Sequence, residues 1–390
     1  MFDKNVMGKI ENELKEYFGV KHVFLVSSGK AALALILMGL QGMSKRKKVI
    51  IPAYTCYSVP SAVAMTGLDI FLCDLVPETL DYDFAALEKL ADEDTLCIVS
   101  THLFGIPSDV VRIRDIGRRR GIYIIEDAAQ AMGAVKGGEK LGTLGDAAFF
   151  SLGRGKNITC GSGGIIVTSS EVISRCINEH YRKLKKEPPV EYVKNIIEVL
   201  FMKIFMNPCF FWFPNGLPFL NIGETTYYKT FPMHRLNGFK AGLLQRWRAK
   251  LEEYNDFRSE IGQHYINQLE LEKQASIYSD DFYYLRFPLY VDHGSAKDNI
   301  CNRYKYLGVS PMYPDSINNV MEIREKFVHM QCKNAEVISK TLITLPTHKL
   351  IKERDKVKIC EEIKNISLMM VKEEQKYQLK YHPESSSNLS

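Results

Sequence analysis

The sequence predicts an α/β fold, in which helices sandwich a mostly parallel seven-stranded sheet and a smaller C-terminal α+β domain follows. Two observations predict it. Short apolar segments alternate with amphipathic ones as far as Thr168, which is typical of a parallel sheet with helices on both faces. From Tyr283 onward, one strand-like segment, a helix and a short apolar segment replace this alternation. Because ligands bind beyond the carboxyl ends of such strands, the residues that follow each strand are the candidates for chemistry.

The period of the apolar residues predicts the individual elements. Short apolar runs predict the seven strands Val23–Val26, Val49–Ile51, Ile70–Cys73, Cys97–Ser100, Tyr123–Ile125, Ala147–Ser151 and Ile165–Thr168. Helical spacing predicts helices between and after them, at Lys30–Leu40, Asp83–Leu90, Ser108–Arg120 and Phe239–Arg258. The second domain has a predicted strand at Arg286–Val291 and a short segment at Leu307–Tyr313.

These patterns divide the chain into a large domain over residues 1–248, a small domain over 249–375 and a serine-rich, disordered tail over 376–390. The large domain carries an aromatic insertion at about 196–224. Residues 204–222 within it carry no charge, but prolines and asparagines interrupt them too often for a membrane-spanning helix. We therefore favour packing on a partner subunit over a shallow contact with a membrane interface.

The composition of the 390 residues excludes several classes of protein. The 51 lysines and arginines against 46 aspartates and glutamates leave a charge of +5, which is too mild to make nucleic acid the expected partner. Nine cysteines, with no C-x-x-C pair, favour free thiols over a disulfide scaffold or a zinc site. The N-terminal residues lack the apolar core of a signal peptide, so we expect a cytoplasmic protein.

Two segments at strand ends carry candidate catalytic groups. Glu126 and Asp127 directly follow the strand Tyr123–Ile125, where the alternative role of an acid is to cap a following helix. Lys156 lies in a glycine-containing turn shortly after Ser151, the end of another strand. This lysine is either an ordinary solvent-facing residue or, when partly desolvated, an amine that forms an imine with a carbonyl cofactor.

A third segment, Ser27-Ser28-Gly29-Lys30, leads from a strand into a helix and would direct backbone N–H groups and hydroxyls at an anion. It is not a P-loop, because Phe24 and Ala31 stand where that motif needs Gly and Ser or Thr. No G-x-G-x-x-G follows the first strand, and the histidines lack metal-ligand spacing. The sequence therefore predicts neither a dinucleotide site nor a metal site.

Together the three segments match the needs of pyridoxal 5'-phosphate. A phosphate cradle, a carboxylate that keeps the pyridine nitrogen protonated and a lysine that carries the cofactor would each follow a strand. The lysine would then act as the base that moves a proton between substrate and cofactor. Three such coincidences at strand ends are far less expected than one.

The sequence resembles the DegT/DnrJ family of sugar aminotransferases, which have the fold of aspartate aminotransferase (fold type I). The resemblance extends from Phe24 to about Lys372. The motifs that carry it are Ser28-Gly29-Lys30-Ala31-Ala32-Leu33, Pro52-Ala53-Tyr54-Thr55, His102-Leu103-Phe104-Gly105, Glu126-Asp127-Ala128-Ala129-Gln130, Gly142-Thr143-Leu144-Gly145-Asp146 and Lys156-Asn157-Ile158-Thr159.

The resemblance implies roles for particular residues. Lys156 would form the imine, Asp127 would pair with the pyridine nitrogen, and Gln130 would lie near the ring hydroxyl. Ser151 would bind the phosphate, together with the turn formed by Ser28, Gly29 and Lys30. It also implies a homodimer whose partner subunit completes each site.

The sequence departs from the family pattern at several of these positions. Lys30 replaces a threonine of the phosphate cradle, and the aromatic residue that stacks on the ring falls at Cys56, with Tyr57 beside it. Met233-His234-Arg235 replaces the Asn-Tyr-Arg segment that reaches the other subunit's phosphate.

The resulting hypothesis is transamination, in which glutamate or glutamine supplies an amino group to a keto-sugar in cell-surface or secondary-metabolite sugar biosynthesis. A nucleotide-linked keto-sugar is the favoured acceptor. One alternative is another reaction of the same cofactor, such as sugar dehydration, although Lys156 stands where the family's dehydratases have histidine. The second alternative is a non-catalytic regulatory protein of the same fold.

Overall fold

Seven strands form the central sheet of the computed structural model, which describes residues 2–188, 197, 225–271, 277–291 and 294–365. In chain order they are β1 (His22–Val26), β2 (Lys48–Pro52), β3 (Asp69–Cys73), β4 (Thr95–Thr101), β5 (Tyr123–Asp127), β6 (Ala147–Ser151) and β7 (Gly164–Thr168). Their spatial order is β1-β7-β6-β5-β4-β2-β3. All seven predicted strands are confirmed, each within two residues of the predicted ends.

The direction of the strands places the candidate residues on one edge. β7 pairs antiparallel with both β1 and β6, whereas the pairs from β6 through β5, β4 and β2 to β3 are parallel. Six strands therefore run in the same direction, and their carboxyl ends meet at one edge of the sheet. The segments after β1, β2, β4, β5 and β6 all start from this edge.

Helices cover both faces of the sheet. They are α1 (Phe2–Phe18), α2 (Gly29–Gln41), α3 (Ser58–Met65), α4 (Phe84–Leu90), α5 (Val110–Arg118), α6 (Glu171–Lys183), α7 (Gly238–Leu243) and α8 (Trp247–Gln268). Alternation along β1 shows why both faces need cover, because Phe24 and Val26 enter the core with α2, whereas Val23 and Leu25 enter a second core with α1. The predicted sandwich is confirmed.

The predicted helix Phe239–Arg258 is two helices. α7 ends at Leu243 and α8 begins at Trp247, because Arg246 between them has a left-handed backbone with a φ of 58°. A residue in this conformation cannot continue an α-helix. The predicted boundary between residues 248 and 249 falls in the first turn of α8, and its position stays a prediction.

The smaller domain pairs β8 (Arg286–Tyr290) antiparallel with β9 (Leu342–Pro346) and packs α9 (Gly294–Tyr304) and α10 (Lys333–Thr341) beside them. Residues 353–365 are also helical. Apart from residue 197, the predicted insertion lies outside the described residues, as do its stretch 204–222 and the tail 376–390. Within the described ranges, no helix has the length and apolarity needed to cross a membrane.

Candidate active site

A cavity of about 160 Å³ opens at the carboxyl edge of the sheet, between the first turns of α2 and α3 and the ends of β5 and β6. Almost all the predicted site residues line it, namely Ser28, Gly29, Lys30, Cys56, Asp127, Gln130, Ser151 and Lys156. The exception is Tyr57. Residues that are up to 128 positions apart in sequence, from 28 to 156, are therefore brought to one place by the parallel strands.

Tyr57 faces the smaller domain instead. Its hydroxyl donates to the carbonyl of Asp315 at 3.2 Å and accepts the N–H of the same residue at 3.0 Å. Burial raises the pKa of Tyr57 to about 12. Cys56, half-buried and at the cavity wall, is thus the residue of this pair that reaches the cavity.

Close backbone approach forms one wall of the cavity. A Cβ on Gly29 would lie 3.1 Å from the Cβ of Ser151, and a Cβ on Gly164 would lie 2.3 Å from the carbonyl oxygen of Ser28. Glycine at 29 and 164 therefore lets the start of α2 sit directly against the end of β6 and the beginning of β7. Any anion bound here would meet the N-terminal amides of α2, which have no partner within the helix.

Two serine hydroxyls at this wall accept backbone N–H groups and donate to no acceptor within the part of the chain that the structure describes. Ser28 caps α2, and its Oγ accepts the N–H of Ala31 at 3.1 Å. The Oγ of Ser151 accepts the N–H of Gly153 at 3.3 Å. Because backbone amides occupy these oxygens as acceptors, each hydroxyl hydrogen remains available for an anionic ligand.

Lys30 adds a cation to the same wall. Its Nζ lies 4.5 Å from the ring centroid of Tyr228 and 4.8 Å from that of Phe231. Burial lowers the pKa of Lys30. Arg235 does not line this cavity, and its guanidinium donates to the carbonyls of Tyr181 and Arg182 at 3.2 and 2.8 Å.

Asp127 is 5% exposed at the end of β5, in the same cavity lining as Lys156. Burial raises the pKa of Asp127, while the N–H of Ala129, 3.1 Å from its Oδ1, and the charge of Lys156 act in the opposite direction. An ionised carboxylate here is poorly solvated. It would be stabilised by a cation brought into the cavity.

Glu126 is not a helix cap. Its Oε1 accepts the N–H groups of Leu144 and Gly145, both at 2.6 Å, and its Oε2 accepts that of Gly142 at 2.8 Å and pairs with His102 at 3.0 Å. No helix begins directly after β5, so the capping alternative is wrong for both acids. Glu126 instead anchors the strand end from which Asp127 projects.

The lysine loop, residues 153–158, is held from α8. The guanidinium of Arg258 donates to the carbonyls of Lys156 and Asn157 at 3.3 and 3.4 Å and to the Oδ1 of Asn255 at 3.0 Å. Asn255 in turn donates to the carbonyl of Met132, in the segment that follows Asp127. No local pattern in the sequence pointed to Arg258 or Asn255.

Gln130 is fixed at both ends of its amide. Its Oε1 accepts the N–H of Phe104 at 3.1 Å, and its Nε2 donates to the hydroxyl of Tyr313 at 2.7 Å. Tyr313 belongs to the smaller domain and lies outside the cavity lining. The sequence did not indicate this contact either, because 183 positions separate the two residues.

The DegT/DnrJ/EryC1/StrS aminotransferase family matches residues 5–200 and 221–364. GDP-perosamine synthase of Caulobacter vibrioides is 37% identical over 163 residues, 42% of this chain and 44% of that protein. GDP-perosamine synthase of Vibrio cholerae is 31% identical over 170 residues, 43% of this chain and 46% of that protein. The chain thus matches these curated relatives over about half their length.

Solved structures share the fold. Helicobacter pylori PseC, an aminotransferase involved in the biosynthesis of pseudoaminic acid, superposes with a TM-score of 0.72 at 19% identity, covering 91% of this chain and 89% of that one. A DegT DnrJ EryC1 StrS aminotransferase from Brucella abortus superposes with a TM-score of 0.69 at 21% identity, covering 93% and 90%. At these identities the likeness shows the fold alone.

Proposed function

The chain belongs to the DegT/DnrJ/EryC1/StrS aminotransferase family, and from this premise we propose that it is a pyridoxal phosphate-dependent aminotransferase acting on a nucleotide-linked keto-sugar. The family depends on pyridoxal phosphate. The observation that carries the proposal is that Asp127, Lys156 and an anion cradle line one cavity. We propose glutamate or glutamine as the amino donor.

The cavity wall fits the phosphate of this cofactor. The N-terminal amides of α2, the hydroxyls of Ser28 and Ser151 and the ammonium of Lys30 all present donors or positive charge there. A phosphate monoester needs several such donors, and charge-assisted hydrogen bonds are about twice as strong as neutral ones. Lys30 would thus serve in place of the family's threonine.

Asp127 fits a cationic ring nitrogen. Its carboxylate is buried and its pKa is raised by that burial, so a positive partner would stabilise the ionised form. When bound, pyridoxal phosphate supplies the conjugated ring that draws electrons from the substrate carbon. The amine of Lys156 would hold the cofactor, then accept the proton of the donor's Cα and pass it to the cofactor.

The substrate class rests on the curated relatives, which are GDP-perosamine synthases. We propose a sugar-nucleotide acceptor on this ground, and a GDP-linked keto-sugar as the first to test, with UDP- and TDP-linked keto-sugars beside it. We also propose a homodimer, from the family resemblance. The eight cysteines that the structure describes are free thiols, which supports a reducing compartment such as the cytoplasm.

An absorbance titration tests the reaction. Purified protein loaded with pyridoxal phosphate should show a visible band that bleaches on addition of glutamate and returns on addition of the keto-sugar. Lys156→Ala should abolish this exchange, whereas Lys140→Ala, on the short hairpin 135–140 outside the cavity lining, should leave it intact. Mass spectrometry of the sugar product would then identify the amine. A wild-type protein that takes up no pyridoxal phosphate, or a Lys156→Ala variant with unchanged turnover, would contradict the proposal.

A further inference from the structure

The side chain of Gln130 has a defined orientation. The N–H of Phe104 can only donate, so the amide atom 3.1 Å from it is the oxygen, and the atom 2.7 Å from the hydroxyl of Tyr313 is the nitrogen. Gln130 is 4% exposed and Tyr313 is 1% exposed, so water does not replace either contact. One of the two amide hydrogens is therefore used by Tyr313, and the other is left for a ligand atom in the cavity.

The backbone is strained at or beside each of the two residues that bond to the amide of Gln130. Phe104, which supplies the N–H, has a φ of 59°, and Met312, the residue before Tyr313, has a φ of 61°. Left-handed backbone at bulky residues costs free energy and persists only where surrounding structure imposes it. Packing of Tyr313 against the rings of Phe104 and Tyr54 contributes to that surrounding structure. One hydrogen-bond partner of the Gln130 amide is thus itself a strained residue, and the other directly follows one.

We propose that Tyr313 is a positioning residue that presents the second N–H of Gln130 to the acidic ring oxygen of the cofactor. The inference rests on the proposed function, because it needs pyridoxal phosphate in the cavity. It adds that the smaller domain acts on the cofactor through Gln130 without lining the cavity itself. A donor aimed at a phenolic oxygen favours its ionised form and lowers the pH at which the chromophore titrates.

Tyr313→Phe tests the proposal, because it removes the hydroxyl but keeps the ring. The matched control is Tyr265→Phe, which removes another fully buried hydroxyl, one that donates to the carbonyl of Pro346 at 3.0 Å away from the cavity. The measurement is the pH midpoint of the visible band of bound pyridoxal phosphate. Without the hydroxyl of Tyr313, the second N–H of Gln130 should no longer be held at the charged ring oxygen, and the loss of that hydrogen bond should raise this midpoint by about one unit. Tyr265→Phe should not move it.

A double variant separates positioning from general destabilisation. Gln130→Met removes the amide at nearly constant length and should itself raise the midpoint. Because Tyr313 acts through Gln130, adding Tyr313→Phe to Gln130→Met should cause no further shift. The dissociation constant of pyridoxal phosphate and the unfolding midpoint of the cofactor-free proteins are measured in parallel, and both Tyr→Phe variants should lose similar stability.

The outcomes separate this inference from the function on which it rests. A wild-type protein that binds no pyridoxal phosphate would overturn both. A wild-type protein that binds it, with Tyr313→Phe titrating like Tyr265→Phe, would overturn the inference alone. Full additivity of the Tyr313→Phe and Gln130→Met shifts would also overturn it, because the tyrosine would then act without the glutamine.

Discussion

Glu126→Gln changes one atom of a fully buried carboxylate in the strand end that carries Asp127. The two oxygens of Glu126 accept four hydrogen bonds, three of them from backbone N–H groups that can only donate. The fourth donor is His102. Its Nδ1 accepts the N–H of Ser108 at 3.1 Å, so its Nε2 carries the hydrogen and also donates. Whichever way the new amide turns, its nitrogen faces two donors.

The expected loss of stability follows from this count. Two hydrogen bonds to a charged acceptor are lost, at about 1.5–3 kcal/mol each, so the free energy of unfolding should fall by about 3–6 kcal/mol. Urea unfolding followed by circular dichroism measures it. The matched control is Glu139→Gln, on an exposed hairpin, which should change the stability by less than about 0.5 kcal/mol. If Glu126→Gln were as mild as this control, the assignment of Glu126 as the anchor of the strand end would be refuted.

Three further predictions concern the cavity and the loops around it. Gly164→Ala places a Cβ 2.3 Å from a backbone carbonyl oxygen, so it should lower the free energy of unfolding by about 1–3 kcal/mol and weaken pyridoxal phosphate binding. Gly8→Ala, in open space on α1, should raise the free energy of unfolding by about 0.5–1 kcal/mol, and thermal unfolding compares the two variants. Burial raises the pKa of Asp127 in the folded protein. The folded state therefore loses stability relative to the unfolded chain as the pH rises above the ordinary pKa of an aspartate. Cofactor-free Asp127→Asn should therefore be more stable than wild type at pH 7, with a gain that shrinks toward pH ~4, as urea unfolding across this range would reveal. Arg258→Met should speed hydrogen exchange of the lysine loop, and Arg248→Met, on the exposed face of the same helix, should not; equal exchange in both variants would mean that α8 does not hold the loop.

The residues of the cavity were largely predictable from the sequence because they sit at strand ends. Asp127 and Ser151 are the last residues of β5 and β6, and Ser28 follows β1 within two residues. Apolar periodicity locates strands well, and parallel strands share one carboxyl edge, so the positions of these residues follow from the pattern alone. The seven strands were predicted for the same reason.

The hydrogen-bond partners of the cavity residues were not predictable from the sequence. Arg258 lies 102 positions from the carbonyl of Lys156, and Tyr313 lies 183 positions from Gln130. Apolar spacing shows that a residue is buried, but not which distant element will pack against it. Tyr57 shows the same limit, because its hydroxyl bonds to Asp315 of the smaller domain, 258 positions away, and no local pattern indicates that contact.

The sequence by itself therefore determined the strands, their common edge and the chemical groups that stand on it. Only the tertiary structure decided which cations, amides and hydroxyls hold those groups. The physical reason is the separation along the chain of the residues that interact. Strand formation and side-chain alternation depend on neighbours within a few positions, whereas a hydrogen bond such as that between Gln130 and Tyr313 exists only after two domains have packed together.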